Sequence, residues 1–516
     1  MTVLADSIDD VLGKVVKGAG FILIGTVIGL AVSFVAKIVI IRYITQSQYG
    51  IYQQAITVIS IFTTVAGLGL RGGVTRQISY YREKNKSKVG SLIGSSLTLG
   101  LISSVLVSIC IYIFADPIAQ GFFNEPDLVL PLKLVSFSLP LVLLGGILVS
   151  ILRGFENPKG KVLFKNLTTN ITRLAGFGVV ILLALSFLGV LSVYLISCLL
   201  GLLVVGLYTK SKIPSEIGVD IDFSVAKKLI IFSIPLMGAG ILATIMNWTD
   251  TLIIGFYEVS ANVGLYRGAY PLARLIPTLL TAAGFLYMPL ISKLEAAETR
   301  EKINRAYQVV TKWIFSGAFP IFLLLFLFPE TILKFFFGAE YIPASLPLRI
   351  LSLGFMVHAF LGLNGTSLVA IGKTKQNFYG RMVGAASNIV LNILLIPFIG
   401  ITGAAIASTS SYITINVYLS LKLYQTTGIH PFLEDYIKPV LGSIFLLAII
   451  YLFTTIINIK FWMLPIILLI YLLGYLFLLL LTGSFSEEDI NMLVKIDEKI
   501  GIDLTTLKEF LKKVVR

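Results

Sequence analysis

A chain of 516 residues that is 56% hydrophobic and only 13% charged, with a mean hydropathy of +0.92, is no ordinary water-soluble enzyme, where about a quarter of residues carry charge. The net charge of +14 points away from nucleic acid, because the basic residues gather in the short breaks between long apolar runs, as they do in polytopic membrane proteins. The two cysteines, Cys110 and Cys198, lie inside apolar runs, which fits neither a disulfide framework nor clustered zinc ligands.

Ser7 followed by Asp10 resembles a helix cap, so a short helix is expected over 7–17, leading into a first span at roughly 18–42. Residues 1–17 carry acids and lack a small-residue cleavage site, so that span is expected to be its own targeting signal. A crossing helix needs about 20 apolar residues. Such runs recur near 48–70, 90–114, 131–152, 164–187, 190–209, 229–256, 264–291, 306–329, 346–371, 378–397, 401–422, 436–457 and 461–482. The expected fold is therefore an all-α polytopic membrane protein with 14 transmembrane helices. An even number puts both termini on one side. The N-terminus, alternate loops and tail hold 31 of the 41 basic residues, so by the positive-inside rule both termini face the cytoplasm of a plasma-membrane protein. Mid-span Pro140, Pro235 with Gly238 and Gly240, Pro271 and Pro277 are candidate hinges. Beyond the last span, Ile490, Leu493, Val494, Ile496 and Ile500 share one broad helical face. That tail is expected either to lie on the cytoplasmic interface or to remain in solvent.

The chain also repeats. Gly50-Ile51-Tyr52-Gln53-Gln54-Ala55 matches Gly264-Leu265-Tyr266-Arg267-Gly268-Ala269, and Phe187-Leu188-Gly189 echoes Phe398-Ile399-Gly400, at an offset near 214 residues. Six spans per copy keep both copies in the same orientation, related by an axis along the membrane normal. The expected plan is two pseudo-symmetric six-helix lobes, 1–212 and 213–428, with a final helix pair and amphipathic tail over 429–516. The repeat places Lys37 opposite Asp250, two intramembrane charges of opposite sign.

Charges at membrane depth cost about 2.5 kcal/mol or more each, so they face a partner, a cavity or an ion path. Asp250 follows Asn247-Trp248-Thr249, and the next span carries Arg267, Tyr270 and Arg274 at i, i+3 and i+7, one face of a continuous helix. With Lys37, Arg42 and Arg173 they form a basic set suited to an anionic ligand, since guanidinium groups match phosphate geometry. The competing readings are a structural pair of Asp250 with an arginine, and interface anchoring for Arg42 and Arg267. Arg173 ends a stripe of Asn166, Thr169, Asn170 and Arg173 at helical spacing. Asp250, Asn388, Asn392 and Ser408 supply oxygens suited to sodium, or simply bond between helices. No other cofactor is expected. With only His358 and His430, and no nucleophile pair or phosphate loop, no enzyme is expected either. A lone intramembrane histidine such as His358 reads as a packing residue.

Ile41-Arg42-Tyr43-Ile44-Thr45-Gln46-Ser47-Gln48-Tyr49-Gly50-Ile51-Tyr52, then Gly67-Leu68-Gly69-Leu70, Asp250-Thr251-Leu252-Ile253-Ile254-Gly255 and Val263-Gly264-Leu265-Tyr266, resemble the polysaccharide-type flippases of the multidrug, oligosaccharidyl-lipid and polysaccharide (MOP) exporter superfamily. The resemblance spans essentially the whole chain. It implies alternating-access export of a polyprenyl-phosphate- or pyrophosphate-linked oligosaccharide from the cytoplasmic to the outer leaflet. The partners would be that lipid and the membrane lipids, with no nucleic acid, and the protein would act as a monomer. It also implies a sodium site at Asp250, Asn388, Asn392 and Ser408, though Asn392 stands where related lipid II flippases carry a second acid. A cation-coupled multidrug exporter is the alternative; such proteins commonly use an acid on the first span, where this chain has Lys37. A membrane glycosyltransferase or polymerase would need an acidic cluster in a sizeable loop, and the loops here are short and basic.

The charge pattern predicts that cysteines placed at Ser87 and Ser484 react with an impermeant thiol reagent only from the cytoplasmic side, and one at Gln120 only from outside. Labelling of the Ser87 position from outside would overturn the orientation.

Overall fold

The computed structural model describes residues 25–157, 159–214, 217–296, 300–432, 436–456 and 463–481. The helices expected over 7–17 and 486–500 lie outside them. The described residues are helical throughout, joined by short turns. Among the described residues six helices are long and apolar enough to cross a membrane, or up to nine if each of three bent pairs counts as one span. Backbone polar groups satisfied within each helix are what a lipid environment demands. The chain is an all-α, multi-pass membrane protein.

Residues within Gly18–Gly268 and Asn388–Ala407 form one compact unit; those within Ala269–Ser387 and Ser408–Arg516 form another. In the first unit, α1 (Gly25–Tyr43) is followed by α2 (Gln46–Ala66), α3 (Leu70–Lys84), α4 (Ser87–Ile113), α5 (Val129–Ser136), α6 (Ser138–Gly154), α7 (Thr169–Leu182), α8 (Phe187–Lys212), α9 (Phe223–Tyr257) and the start of α10 (Ser260–Ala273). Thr45 caps α2 by a reciprocal box: its hydroxyl accepts from the Gln48 amide at 3.2 Å, and the Gln48 side chain accepts from the Thr45 N–H at 3.2 Å. Asp222 caps α9 by accepting from the Ser224 and Val225 amides; the Ser224 hydroxyl first, and then these amides, hold its carboxyl below the usual range. The linker before α9 is fastened along α4, where Ser91 donates to both Asp220 carboxylate oxygens at 3.0 Å and Ser95 donates to the Asp222 carbonyl at 3.1 Å.

Helix breaks fall at the expected signals with two corrections. Leu68 and Gly69 take φ of 46° and 71°, and the chain then continues as α3 to Lys84. Arg71 and its neighbours, expected in a loop, are therefore helical. The span expected over 264–291 is interrupted: α10 stops at Ala273 and α11 (Thr278–Ala296) starts after a turn. Pro277 cannot donate a backbone hydrogen bond, and the chain crosses this point on tight links such as Leu275 to Leu272 and Thr278 to Leu275. α9 bends by 43° between Gly238 and Gly240, beyond Pro235.

The second unit contains α11, α12 (Arg300–Leu327), α13 (Pro329–Phe337), α14 (Ser345–Leu361), α15 (Leu363–Ala370), α17 (Ile437–Ile456) and α18 (Leu464–Leu481), while α16 (Thr374–Thr427) contributes to both units. The backbone of α16 breaks at Ile399 and Gly400, the boundary expected between two spans. Tyr287 bonds Ser367 at 2.9 Å, and Asn364 donates to the Asn416 carbonyl at 3.0 Å. His358 shares a hydrogen bond with Asn416 and lies 5.1 Å from the Tyr412 ring, so it is packed and bonded. The final pair is joined by Ser443 and Tyr471 at 2.6 Å, and Tyr475 ties it to the Ser316 carbonyl of α12.

The two repeat-equivalent glycines meet. A Cβ on Gly50 would fall 1.7 Å from the Ser260 carbonyl oxygen, and one on Gly264 would fall 2.2 Å from that of Gln46. α2 and α10 thus touch backbone to backbone, which no side chain permits. Gly264→Leu and Gly50→Val are expected to destabilise the purified protein by roughly 1–3 kcal/mol or more, read as a lowered Tm. Gly121→Ala, with open space around it, is the control; equal Tm values across the three variants would contradict this contact.

Candidate functional site

α9 and α10 form a hairpin that carries the acid and the first arginine. Asp250 is 3% exposed. One carboxylate oxygen accepts from the Tyr266 hydroxyl at 2.6 Å; the other accepts from the side-chain amides of Asn392 at 2.9 Å and Asn388 at 3.2 Å. Asn388 and Asn392 lie one turn apart on α16, so both reach the same oxygen. Three neutral donors from two other helices thus hold the charge. The side-chain oxygens of Asn388 and Asn392 are buried without a hydrogen-bond partner. A half-turn of each amide would exchange nitrogen for oxygen at the carboxylate, giving three oxygens around one point, a donor set suited to a hard cation. Ser408, the fourth residue expected there, is buried and belongs to the second unit.

Arg267 sits beside this network. Its Nε donates to the Thr251 hydroxyl and its Nη2 to the Asn247 carbonyl at 2.9 Å, and the guanidinium lies 4.3 Å from the Trp248 ring centroid. Tyr270 is buried edge-on to Phe355 at 5.7 Å. Arg274 follows directly on the end of α10 at Ala273: its N–H still bonds the Tyr270 carbonyl at 3.1 Å, and its exposed side chain brings the guanidinium 5.8 Å from the Tyr270 ring, so these two residues keep to one side. Beyond Arg274, Pro277 interrupts the helix.

In the first repeat, Arg173 on α7 donates to the Ser197 hydroxyl at 3.0 Å and stacks 4.7 Å from the Tyr194 ring. Tyr52, the repeat partner of Tyr266, meets Tyr194 edge-on at 6.0 Å. The stripe leading to Arg173 is not one regular helix, since Val162–Thr168 is a π-helix. Within it Thr169 bonds the Phe164 carbonyl and Asn170 the Gly29 carbonyl of α1. Lys37 is half-buried and Arg42 exposed on α1. Tyr266, Thr251 and Trp248 were not singled out as site residues: they are ordinary in the sequence and gain their roles only where α10 folds back on α9.

The family pattern described as polysaccharide biosynthesis protein matches residues 15–295, more than half of the chain. The chain belongs to that family. It is accordingly a member of the MOP exporter superfamily, and the pattern described as MatE also matches residues 235–394. A probable low-salt glycan biosynthesis flippase of Haloferax volcanii is 24% identical over 389 residues, covering 75% of this chain and 79% of that protein. The lipid III flippase of Escherichia coli is 23% identical over 397 residues, covering 72% and 87%. Among solved structures, the lipid II flippase MurJ in an inward closed conformation superposes with a TM-score of 0.72 at 19% identity, covering 88% of this chain and 97% of that one. That likeness establishes the shared fold. Both sequence patterns include Asp250, Arg267, Tyr270 and Arg274.

Loss of any one donor should weaken the network: Tyr266→Phe and Asn392→Leu are each expected to lower stability by about 1.5–3 kcal/mol, the range for hydrogen bonds to a charged group. Denaturant or thermal unfolding in detergent reads this, and unchanged midpoints for both variants would remove Asp250 from the role of structural anchor.

Proposed function

We propose that the protein is a flippase that moves a polyprenyl-phosphate- or pyrophosphate-linked oligosaccharide from the cytoplasmic to the outer leaflet, for cell-surface polysaccharide or glycoprotein assembly. The observation that carries this reading is Arg267, a buried arginine inside the segment matched by the family. Arginine there suits an anionic headgroup and opposes an organic cation. The names of the similar proteins, flippases of glycan biosynthesis and of lipid III, support the substrate class. On this reading the fourteen spans form two six-helix lobes, 1–212 and 213–428, with a final pair, and both termini are cytoplasmic. Lys37, Arg42, Arg173, Arg267, Tyr270 and Arg274 contact the phosphate or sugar as the lobes rock, while the polyprenyl chain stays in lipid. The protein catalyses no covalent step and works as a monomer.

Sodium is the proposed coupling ion, held by Asp250, Asn388, Asn392 and Ser408. Binding would neutralise the carboxylate and turn the two amides, so it would shift the balance between states through the α9–α10 hairpin. One carboxylate among four ligands implies weak binding.

Flipping of a fluorescent lipid-linked oligosaccharide in proteoliposomes tests the whole reading. Wild type should flip it, Arg267→Ala and Arg274→Ala should lose activity while remaining folded and inserted, and lysine at either site should restore only part. Sodium in place of potassium at matched potential should stimulate wild type but not Asp250→Asn. Normal flipping by both alanine variants would remove the arginine mechanism, and equal rates in the two salts would remove the ion.

A further inference from the structure

Arg71 is a cation that the set above leaves out. Beyond the break at Leu68 and Gly69, α3 runs along α6 and fastens to it by one polar face. Thr75 donates to the Ser150 carbonyl at 3.0 Å, Ser79 to that of Gly154 at 3.3 Å and Arg82 to the same Gly154 oxygen at 3.2 Å. Arg71, four residues before Thr75, continues this face inward and reaches the Val142 carbonyl at 3.4 Å. α6 ends at Gly154, so at 1.5 Å per residue Gly146 and Val142 lie roughly 12–18 Å inside its end. Arg71 therefore stands well within the depth of α6, where a charge must face water or a ligand rather than hydrocarbon.

Its seat is specific. A Cβ on Gly146 would fall 2.4 Å from the Arg71 Nε and 2.7 Å from Cζ and Nη2, so the guanidinium rests directly on the glycine and any larger residue would displace it. The Arg71 residue is nonetheless exposed. Among the described residues its one hydrogen-bond acceptor is the Val142 carbonyl, at the outer limit of bonding distance. A guanidinium has five N–H donors and keeps its charge, so most of its donors have no protein acceptor among the described residues. On the other side of α3, Gly72 packs on Leu236 and Gly73 on Ser233 of α9, and Arg76 stacks on Phe232 at 4.7 Å; these are apolar or neutral neighbours. Along α9, the contact with Leu236 and the contacts of Arg267 with Asn247 and Thr251 are separated by 11 to 15 residues, roughly 16–22 Å of helix. Arg267 bonds protein groups through both Nε and Nη2, whereas Arg71 makes a single long bond.

We propose that Arg71, seated on Gly146, is an anion-binding residue on the cytoplasmic side of the transport path, the first to take the phosphate or pyrophosphate of the lipid-linked sugar before it reaches Arg267. This rests on the flippase reading for its substrate and sidedness; the guanidinium on its glycine seat does not. Arginine is required because a planar fork can bond two phosphate oxygens while one face lies flat on α6, whereas an ammonium cannot do both.

The test compares wild type with Arg71→Ala, Arg71→Lys and Gly146→Ala, in proteoliposomes supplied with a fluorescent polyprenyl-pyrophosphate oligosaccharide and in detergent with inorganic pyrophosphate. Arg71→Ala should raise KM about tenfold with kcat within about twofold and an unchanged Tm. Arg71→Lys should recover part of the loss, and Gly146→Ala, which keeps the charge but moves it, should fall between. Pyrophosphate should raise the Tm of wild type and not of Arg71→Ala. A merely structural arginine would instead lower Tm and yield on replacement while leaving KM and the pyrophosphate shift unchanged, which overturns the proposal. If Arg267→Ala abolishes flipping while all three variants behave as wild type, the flippase reading stands and Arg71 is excluded. If wild type flips nothing, the flippase reading fails, and the pyrophosphate shift alone decides for or against Arg71.

Discussion

The Asp250 carboxylate constrains much else in the first unit. A negative charge that is 3% exposed in a membrane helix is tolerable only if donors are already aimed at it. They come from Tyr266 on α10 and from Asn388 and Asn392 on α16. That requirement brings residues 138 and 142 positions away in the chain to α9. It also fixes the α9–α10 hairpin, and with it the place where Arg267 meets Thr251, Asn247 and Trp248.

The hairpin can close so tightly on α2 because glycines stand at the contact on both sides. Gly50 and Gly264 hold corresponding positions in the two copies, and each lies against the backbone of the other's helix. In lipid there is little hydrophobic force between helices, so close backbone contact through small residues carries the packing. The same economy appears at Gly146, where the missing side chain admits a guanidinium instead of a helix. Corresponding tyrosines, by contrast, have diverged: Tyr266 bonds an acid, while Tyr52 packs beside Tyr194 in the Arg173 cluster.

Proline and glycine breaks decide which cations can act together. The turn at Pro277 ends α10 beside Arg274, and the break at Leu68 and Gly69 turns α3 so that Arg71 lies along α6. In both cases the residue is near where the sequence places it, and its direction is set by a kink.

Much of the protein was legible in its residues. Apolar runs of spanning length, the inability of lipid to satisfy open backbone groups, and the glycine-rich repeat determine an all-helical membrane chain of this family, because those are constraints on local composition and period. Asp250, Asn388 and Asn392 were legible as a group for the same reason: polar residues at membrane depth must find one another. What only the tertiary structure decided were the partners and directions. Tyr266 as a donor to Asp250, Trp248 and Thr251 as the seat of Arg267, Arg274 in a turn, and Arg71 on Gly146 each depend on how one helix is aimed at another. That aim is set by a few φ angles and by backbone contacts between residues far apart in the chain, which helical periodicity does not encode.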